Sequence, residues 1–158
     1  MKLFHYLFIF FAILLIVLLG FPILSSIDTG SRVSLDENIK LPFRVDDNKS
    51  VLLVYFGYVG CPDVCPASLK EIDNIYKKIE DKYKDRVGVY FINIKDSGNA
   101  QEFVSYFNKN FIGIDLSPVD RMKFMNLLHA YKSDPLVKDG ELYHTSYLYL
   151  IKRLDKKR

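Results

Sequence analysis

The chain has 158 residues, of which 49% are hydrophobic and 26% charged, and its formal net charge is +3. This length and composition are typical of one globular domain with an additional segment, and the chain contains no low-complexity tract. The basic residues form no stripe interleaved with aromatic residues, so nucleic-acid binding is not expected.

The N-terminal segment is almost wholly apolar, with no charged side chain between Leu3 and Ile27. An α-helix rises about 1.5 Å per residue, so roughly 20 such residues cross a bilayer core. The run is longer than the roughly 7–15 apolar residues of a signal peptide, and "ILSSIDTG" is a poor cleavage site. We therefore predict a transmembrane anchor over residues 1–27, with a cleaved signal segment as the alternative. Lys2 precedes the apolar run, which favours a body outside the cytoplasm.

Residues 28–49 are mixed and polar, which predicts a tether with one short strand, and residues 50–158 form the predicted domain. Strands that alternate with helices along this domain indicate a βαβ architecture with a mainly parallel sheet. Apolar runs rich in β-forming residues predict strands over 50–58, 86–94, 111–116 and 145–151. Apolar residues at helical spacing predict helices after Cys65, over 100–108 and from Ser117 onward. The apolar stripe predicted for the last helix comprises Met122, Met125, Leu127 and Leu128.

The only two cysteines, Cys61 and Cys65, follow the first predicted strand in "YFGYVGCPDVCPASL". Pro66 suits the first position of a helix, where its missing N–H costs nothing, so we expect Cys65 to cap that helix. Free backbone N–H groups and the positive end of the helix dipole would then face the sulfurs. This environment favours thiolate, the form that both nucleophilic attack and metal binding require. A cysteine pair between a core strand and a helix also predicts the thioredoxin fold.

The residues alone leave three interpretations of the cysteine pair open. A structural disulfide would close a loop of only five residues, where the entropic gain is small. Thiol–disulfide exchange motifs of this fold normally place two residues between the cysteines, and here there are three. Such enzymes also carry a cis-proline before a late strand, where this chain has His144 and Thr145.

The third interpretation is a metal site. Two thiolates and one imidazole form a soft, low-coordinate set suited to Cu(I), whereas structural zinc would require a fourth protein ligand. His144 precedes the last predicted strand, and a loop that enters an adjacent strand at the same sheet edge can bring it to the cysteines. His5 lies in the apolar segment and His129 in the last helix, so neither is expected to join them.

The stretch "VYFGYVGCPDVCPASL" resembles the signature of the Sco/SenC family of copper chaperones. Residues 143–151 resemble that family's late histidine–strand element, and "NFIGIDLSP" resembles its middle segment, so the resemblance covers roughly residues 50–151. It implies a copper site, for Cu(I), Cu(II) or both, with Cys61, Cys65 and His144 as ligands.

Asp63 matches the family's acidic residue between the cysteines. The resemblance implies that its carboxylate tunes the charge of the site or offers a weak oxygen ligand to Cu(II). The alternative is a residue that only forms a turn.

The resemblance also implies a function and a location. We expect a membrane-anchored copper metallochaperone that assists assembly of the dinuclear copper site of cytochrome c oxidase. The alternative is a membrane-tethered thiol–disulfide oxidoreductase, acting through Cys61 and Cys65, that keeps the cysteines of that site reduced. Expected partners are the copper-bearing oxidase subunit, membrane lipid through the N-terminal helix, and another copper chaperone or a thiol reductant. No Arg/Ser-rich presequence precedes the apolar run, so we expect a single pass through a bacterial inner membrane, with a periplasmic body, rather than a mitochondrial one.

Two departures from the family pattern carry expectations of their own. The segment "KDSGNAQE" follows the second strand where the family usually has an Asp-Pro and a charged loop. The chain ends at "KRLDKKR", whereas members of the family typically continue through a further strand and a closing helix. The resemblance therefore predicts a domain without these two elements, which would leave part of a sheet face bare.

Overall fold

The structure, a computed structural model, describes residues 2–25, 39–133 and 142–153. The chain divides into two compact units, Met1–Asn38 and Ile39–Arg158. The first unit holds helix α1 (Lys2–Ser25). Among the described residues, no helix has the length and apolar character needed to span a bilayer. The anchor predicted over residues 1–27 is therefore not confirmed.

The second unit alternates strands and helices, as the sequence predicts. Its described elements are β1 (Val51–Gly57), α2 (Val64–Lys78), α3 (Asp81–Lys84), β2 (Val87–Asn93), α4 (Ala100–Ser105), β3 (Ile112–Asp115), α5 (Pro118–Leu127) and β4 (Leu148–Lys152). The four predicted strands are confirmed with shorter bounds. The short strand predicted within residues 28–49 is absent from residues 39–49, and residues 28–38 lie outside the described residues.

The four strands form one sheet in the order β3-β2-β1-β4. Strands β1, β2 and β3 are parallel, and β4 runs antiparallel to β1. In that antiparallel pair Tyr55 lies opposite Leu148, so the residues that lead into β4 lie beside the loop that leaves β1. The sheet order thus brings the predicted cysteine and histidine segments to one edge.

Strands β1 and β2 are buried on both faces, as expected for central strands with near-continuous apolar sequences. On one face the ring of Tyr55 lies 6.2 Å from that of Phe91. On the other face Phe56 and Tyr90 pack with rings from outside the sheet, Phe124 and Phe43 respectively. The loop that carries the cysteines therefore begins at the end of a buried central strand.

Two helices differ from their predicted form. Helix α2 begins at Val64, so Pro66 is its third residue and not its first. Proline is still tolerated there because the N–H groups of the whole first turn lack intrahelical partners. In α5, Met122 is 48% exposed, while the buried face contains Arg121. Arg121 is buried because its guanidinium donates to the Lys95 carbonyl and pairs with Asp96, which an apolar stripe cannot indicate.

Candidate metal centre

Both cysteines are buried and free, with Cys61 in the loop after β1 and Cys65 as the second residue of α2. Asp63 occupies the N-cap position of the helix, and its carbonyl accepts a hydrogen bond from the N–H of Ala67. The carboxylate of Asp63 is exposed and caps no backbone group. The helix start thus holds Cys65 rigidly and leaves Cys61 on the adjoining loop.

The surroundings of Cys61 favour its thiolate. Burial acts to raise the pKa of Cys61, but hydrogen bonds to its sulfur outweigh burial and lower that pKa. The donors are the Cys65 thiol and N–H, the Asp63 N–H and the Tyr58 hydroxyl. The Cys65 nitrogen lies 3.4 Å from the Cys61 sulfur. These are the first N–H groups of a 15-residue helix, so its dipole adds to the stabilisation of negative charge.

The pKa of Cys65 is shifted in the opposite direction. Its side chain is fully buried, and burial raises the pKa of the thiol to about 12, with the hydrogen bond to Cys61 acting in the same direction. The surroundings therefore favour the thiolate at Cys61 and the neutral thiol at Cys65.

His144 reaches this pair from the segment before β4. Its Nε2 lies 3.6 Å from the sulfur of Cys65, and its Nδ1 lies 2.9 Å from the carbonyl oxygen of Thr145. A carbonyl oxygen only accepts hydrogen bonds, so Nδ1 carries the ring hydrogen and Nε2 directs its lone pair at the sulfur. In this tautomer Nε2 can bind a cation, or it can accept the S–H of Cys65 in place of the Cys61 sulfur.

The backbone around His144 is fixed by a short antiparallel bridge. His144 pairs with Lys132, and hydrogen bonds on either side join Thr145 to Tyr131 and Tyr143 to Ser133. This bridge explains how a residue outside the regular strands can hold its ring against a sulfur from α2.

Two tyrosine rings enclose the imidazole, and sequence reasoning missed both. The ring centroids of Tyr55 and Tyr58 lie 6.4 and 5.9 Å from that of His144, each in an edge-to-face arrangement. Tyr58 is also buried, and burial raises the pKa of its hydroxyl to about 12, so it acts as a donor. Both tyrosines look like ordinary strand residues in the sequence.

Gly57 ends β1 at the point of closest approach to the site. A Cβ there would lie 2.7 Å from the Phe91 ring and 3.0 Å from the Cys65 sulfur. A glycine at the end of a buried strand is the sequence signal for such an approach.

Asn93, which is 1% exposed, stabilises the loop that carries Cys61 through hydrogen bonds. The Asn93 side-chain oxygen accepts hydrogen bonds from the N–H groups of Val59 and Lys95, and its amide donates to Ser97 and Asp115. No sequence pattern indicates this role, because its partners come from three separate connections.

The chemistry of the donor set fits a soft cation: two sulfurs, one already favoured as thiolate, and a neutral imidazole nitrogen directed at the second sulfur. Nevertheless, in the described part of the chain no group of three or more His, Cys, Asp or Glu side chains is arranged to hold a metal ion. Binding by all three predicted ligands would therefore require side-chain rotation at one or more of them. The ligand roles of Cys61, Cys65 and His144 stay predictions.

The sequence is similar to known proteins over most of its length. The profile of the SCO1/SenC family matches residues 45–156. An SCO2-like protein of Rickettsia conorii is 33% identical over 134 residues, which cover 77% of this chain and 63% of that protein. The chain thus spans slightly less than two thirds of the length of this relative.

Solved structures show the same fold. ScoI of Bradyrhizobium japonicum, determined with copper bound, is 30% identical with a TM-score of 0.58, over 65% of this chain and 68% of that chain. Apo Sco1 of Thermus thermophilus is 26% identical with a TM-score of 0.58, over 66% and 65%. The predicted thioredoxin-like α/β fold is confirmed by these likenesses. With the family profile matched along most of its length, the chain belongs to the SCO1/SenC family.

Proposed function

We propose that this chain is a copper-binding metallochaperone that assists assembly of the dinuclear copper site of cytochrome c oxidase. The observation that carries the proposal is the contact between the Cys65 sulfur and Nε2 of His144, at 3.6 Å, beside the thiolate-favouring Cys61. ScoI of Bradyrhizobium japonicum, which shares the fold, binds copper in its solved structure. Copper is the cargo in this proposal, and Cys61, Cys65 and His144 are its ligands.

The site suits Cu(I) for three reasons of charge and softness. Thiolate sulfur and imidazole nitrogen are donors that Cu(I) favours. The lowered pKa of Cys61 favours its thiolate, whereas the raised pKa of Cys65 means that this thiol must lose its proton when the cation binds. The Nδ1–H of His144 is fixed on a carbonyl, which orients Nε2 and increases its basicity as outer partners of metal-bound histidines do.

The location and partners of the proposal rest on the sequence. Residues 1–27 anchor the chain in a bacterial inner membrane by a single pass, and the domain lies on the periplasmic side. The copper-bearing oxidase subunit receives the cation, and another copper chaperone or a thiol reductant prepares the site. Asp63 is exposed, so it contributes charge near the site or only a turn.

A second candidate function is thiol–disulfide exchange on the oxidase's copper-site cysteines. The opposite pKa shifts of the two thiols favour it, because an exchange motif combines an attacking thiolate with a buried partner thiol. In this alternative Cys61 attacks the substrate disulfide and Cys65 then resolves the mixed disulfide.

Anaerobic titration of the reduced full-length protein with Cu(I), in competition with a chromogenic chelator, separates the two functions. We expect one equivalent to bind, and His144→Ala to weaken binding at least about tenfold through loss of a ligand. His129→Asn is the matched control, since His129 is exposed, follows the end of α5 instead of lying within the helix as predicted, and has a positive φ of 52° that asparagine tolerates. Unchanged affinity in His144→Ala, with turnover of a disulfide substrate, would favour the exchange function.

A further inference from the structure

The two edges of the sheet, β3 and β4, differ in how their outward backbone groups are bonded. At β3 the side chain of Gln101 takes the place of a further strand. Its oxygen accepts a hydrogen bond from the N–H of Gly113 at 2.9 Å, and its nitrogen donates to the carbonyl of Phe111 at 3.2 Å. Helix α4 lies so close to Gly113 that a Cβ there would be 2.2 Å from the carbonyl carbon of Ala100. The edge at β3 is therefore covered.

The edge at β4 has no such cover. Arg153, which follows β4, donates its N–H to the carbonyl of Ser50, which precedes β1. Backbone groups alternate in direction along a strand, so the odd-numbered residues of β4 bond to β1 and the even-numbered residues point to the other side. The outward-pointing residues are Leu148, Leu150 and Lys152. In the described part of the chain, β4 has no neighbouring strand on this side.

The side chains of the same three residues are exposed. Leu148 is 39% and Leu150 68% exposed, and Lys152 is exposed as well. A strand with unpaired backbone groups and exposed apolar side chains is a template for pairing with another strand. The outer edge of β4 thus has the character of an interface.

A second copy of β4 satisfies these backbone groups in one register. When two copies pair antiparallel about a two-fold axis at Leu150, that residue lies opposite its counterpart, and Leu148 lies opposite Lys152 of the second copy. Each of the three pairs then exchanges two hydrogen bonds. Any other position of the axis leaves an outward-pointing residue without a partner in the facing strand. No two lysines lie opposite each other in this register, and the aliphatic stem of Lys152 covers a leucine.

We propose that this chain forms a symmetric dimer in which the β4 strands of two copies pair antiparallel and join the two sheets into one. The second copy holds β4, which closely follows His144, on the side that β1 leaves free. One strand pair buries less than the roughly 1,200–2,000 Å² of a stable protein interface, so the dimer is reversible and dissociates on dilution. The inference does not rest on the proposed function.

Sedimentation velocity of the full-length, copper-free protein in detergent, from about 1 μM to about 1 mM, measures the association. We expect the wild type to shift from monomer to dimer as its concentration rises. Leu150→Lys should weaken dimerisation at least about tenfold, because like charges then lie opposite each other at the axis. Val119→Lys is the matched control, since Val119 lies on α5 and is 62% exposed, and this variant should dimerise as the wild type does. Urea unfolding checks that both variants are folded.

Amide hydrogen exchange of the wild type is the second measurement, and it does not depend on the folding of any variant. The N–H groups of residues 148, 150 and 152 should exchange rapidly at low concentration and become protected as the dimer forms. Those of residues 149 and 151 should be protected throughout, because they bond to β1.

Three results would overturn the inference. A wild type that stays monomeric at the highest concentration would leave the edge of β4 to a different protein. Equal dimerisation of Leu150→Lys and wild type would place the contact on another surface. Exchange at Leu150 that does not change with concentration would exclude pairing through β4. Copper takes no part in these measurements, so each result leaves the proposed function to its own test.

Discussion

At the scale of single residues, the pKa values of Cys61 and Cys65 are shifted in opposite directions although the two residues lie only four positions apart. Cys61 accepts hydrogen bonds from the start of α2, whereas Cys65 is fully buried and its sulfur lies 3.6 Å from Nε2 of His144. The lowered pKa of Cys61 stabilises the fold above the pKa of an unfolded cysteine, about 8.5, and this contribution is lost as pH falls through the lowered value. For Cys65 the sign is reversed, because its contribution is complete below the unfolded value and is lost as pH rises towards about 12.

We predict that iodoacetamide modifies Cys61 before Cys65 in the reduced protein. The rate for Cys61 should persist below the usual cysteine range and fall only when pH drops under its lowered pKa, since the thiolate is the reactive form. Mass spectrometry of samples quenched between about pH 5 and 9 gives the two rates. In urea both cysteines should react alike, and equal rates in the folded protein would contradict the assignment.

The sequence indicated three of the side chains that meet at the site, because two cysteines that are each followed by proline and one late histidine form a recognisable set. It did not indicate Tyr55 or Tyr58. Aromatic residues in a buried apolar run are normally core. The side of β1 on which Tyr55 lies, the turn after Gly57 and the path of the histidine segment together bring these rings to His144.

At the scale of secondary-structure elements, the site depends on hydrogen bonds that join three neighbouring segments of the chain. Asn93, the last residue of β2, bonds the cysteine loop at Val59, its own connection at Lys95 and Ser97, and the end of β3 at Asp115. A positive φ of 93° at Gly98 and the absence of a side chain there let the loop lie directly against Val59.

We predict that Asn93→Ala destabilises the protein by about 1–3 kcal/mol, because the groups it bonds lose buried partners. Amide hydrogen exchange over residues 59–61 should accelerate, since the cysteine loop is no longer held to β2. Asn99→Ala is the matched control: it removes the N-cap bond of Asn99 to Glu102 and costs about 1 kcal/mol. Equal exchange of the cysteine loop in the two variants would count against the role of Asn93.

The order and type of the helices and strands could be predicted, because the spacing of apolar residues that indicates them is a local property of the sequence. The start of α2 at Val64 could not be predicted, because Pro66 is tolerated at any position of the first helical turn. The network of Asn93 could not be predicted either, since it requires the register of parallel strands that are distant in sequence.

At the scale of the whole molecule, the site is closed by the pairing of β1 with β4. Tyr149 packs on the covered face of β4. Its ring lies 5.5 Å from that of Phe56, and its hydroxyl lies 3.5 Å from that of Thr145. The opposite face of β4 is open, and Leu150 is 68% exposed. Among the described residues, β4 therefore pairs with one strand only, β1, and is covered on one face only.

We predict that Tyr149→Ala lowers the free energy of unfolding by about 2 kcal/mol through lost packing and weakens Cu(I) binding because His144 is less well held. Tyr147→Ala is the matched control, since Tyr147 is 67% exposed and its loss should cost no more than about 0.5 kcal/mol. Urea unfolding and Cu(I) competition measure both effects. Equal behaviour of the two variants would show that β4 is held by other contacts.

The antiparallel position of β4 also sets the time at which the centre is completed. The two sulfurs lie within one loop and the helix that follows it, but the imidazole is 79 positions later along the chain than Cys65. During synthesis the thiols therefore emerge long before the histidine, and contacts so distant in sequence close late in folding. An unfinished chain has the dithiol but lacks the imidazole, so under the proposed function copper capture must wait until β4 has been made and paired.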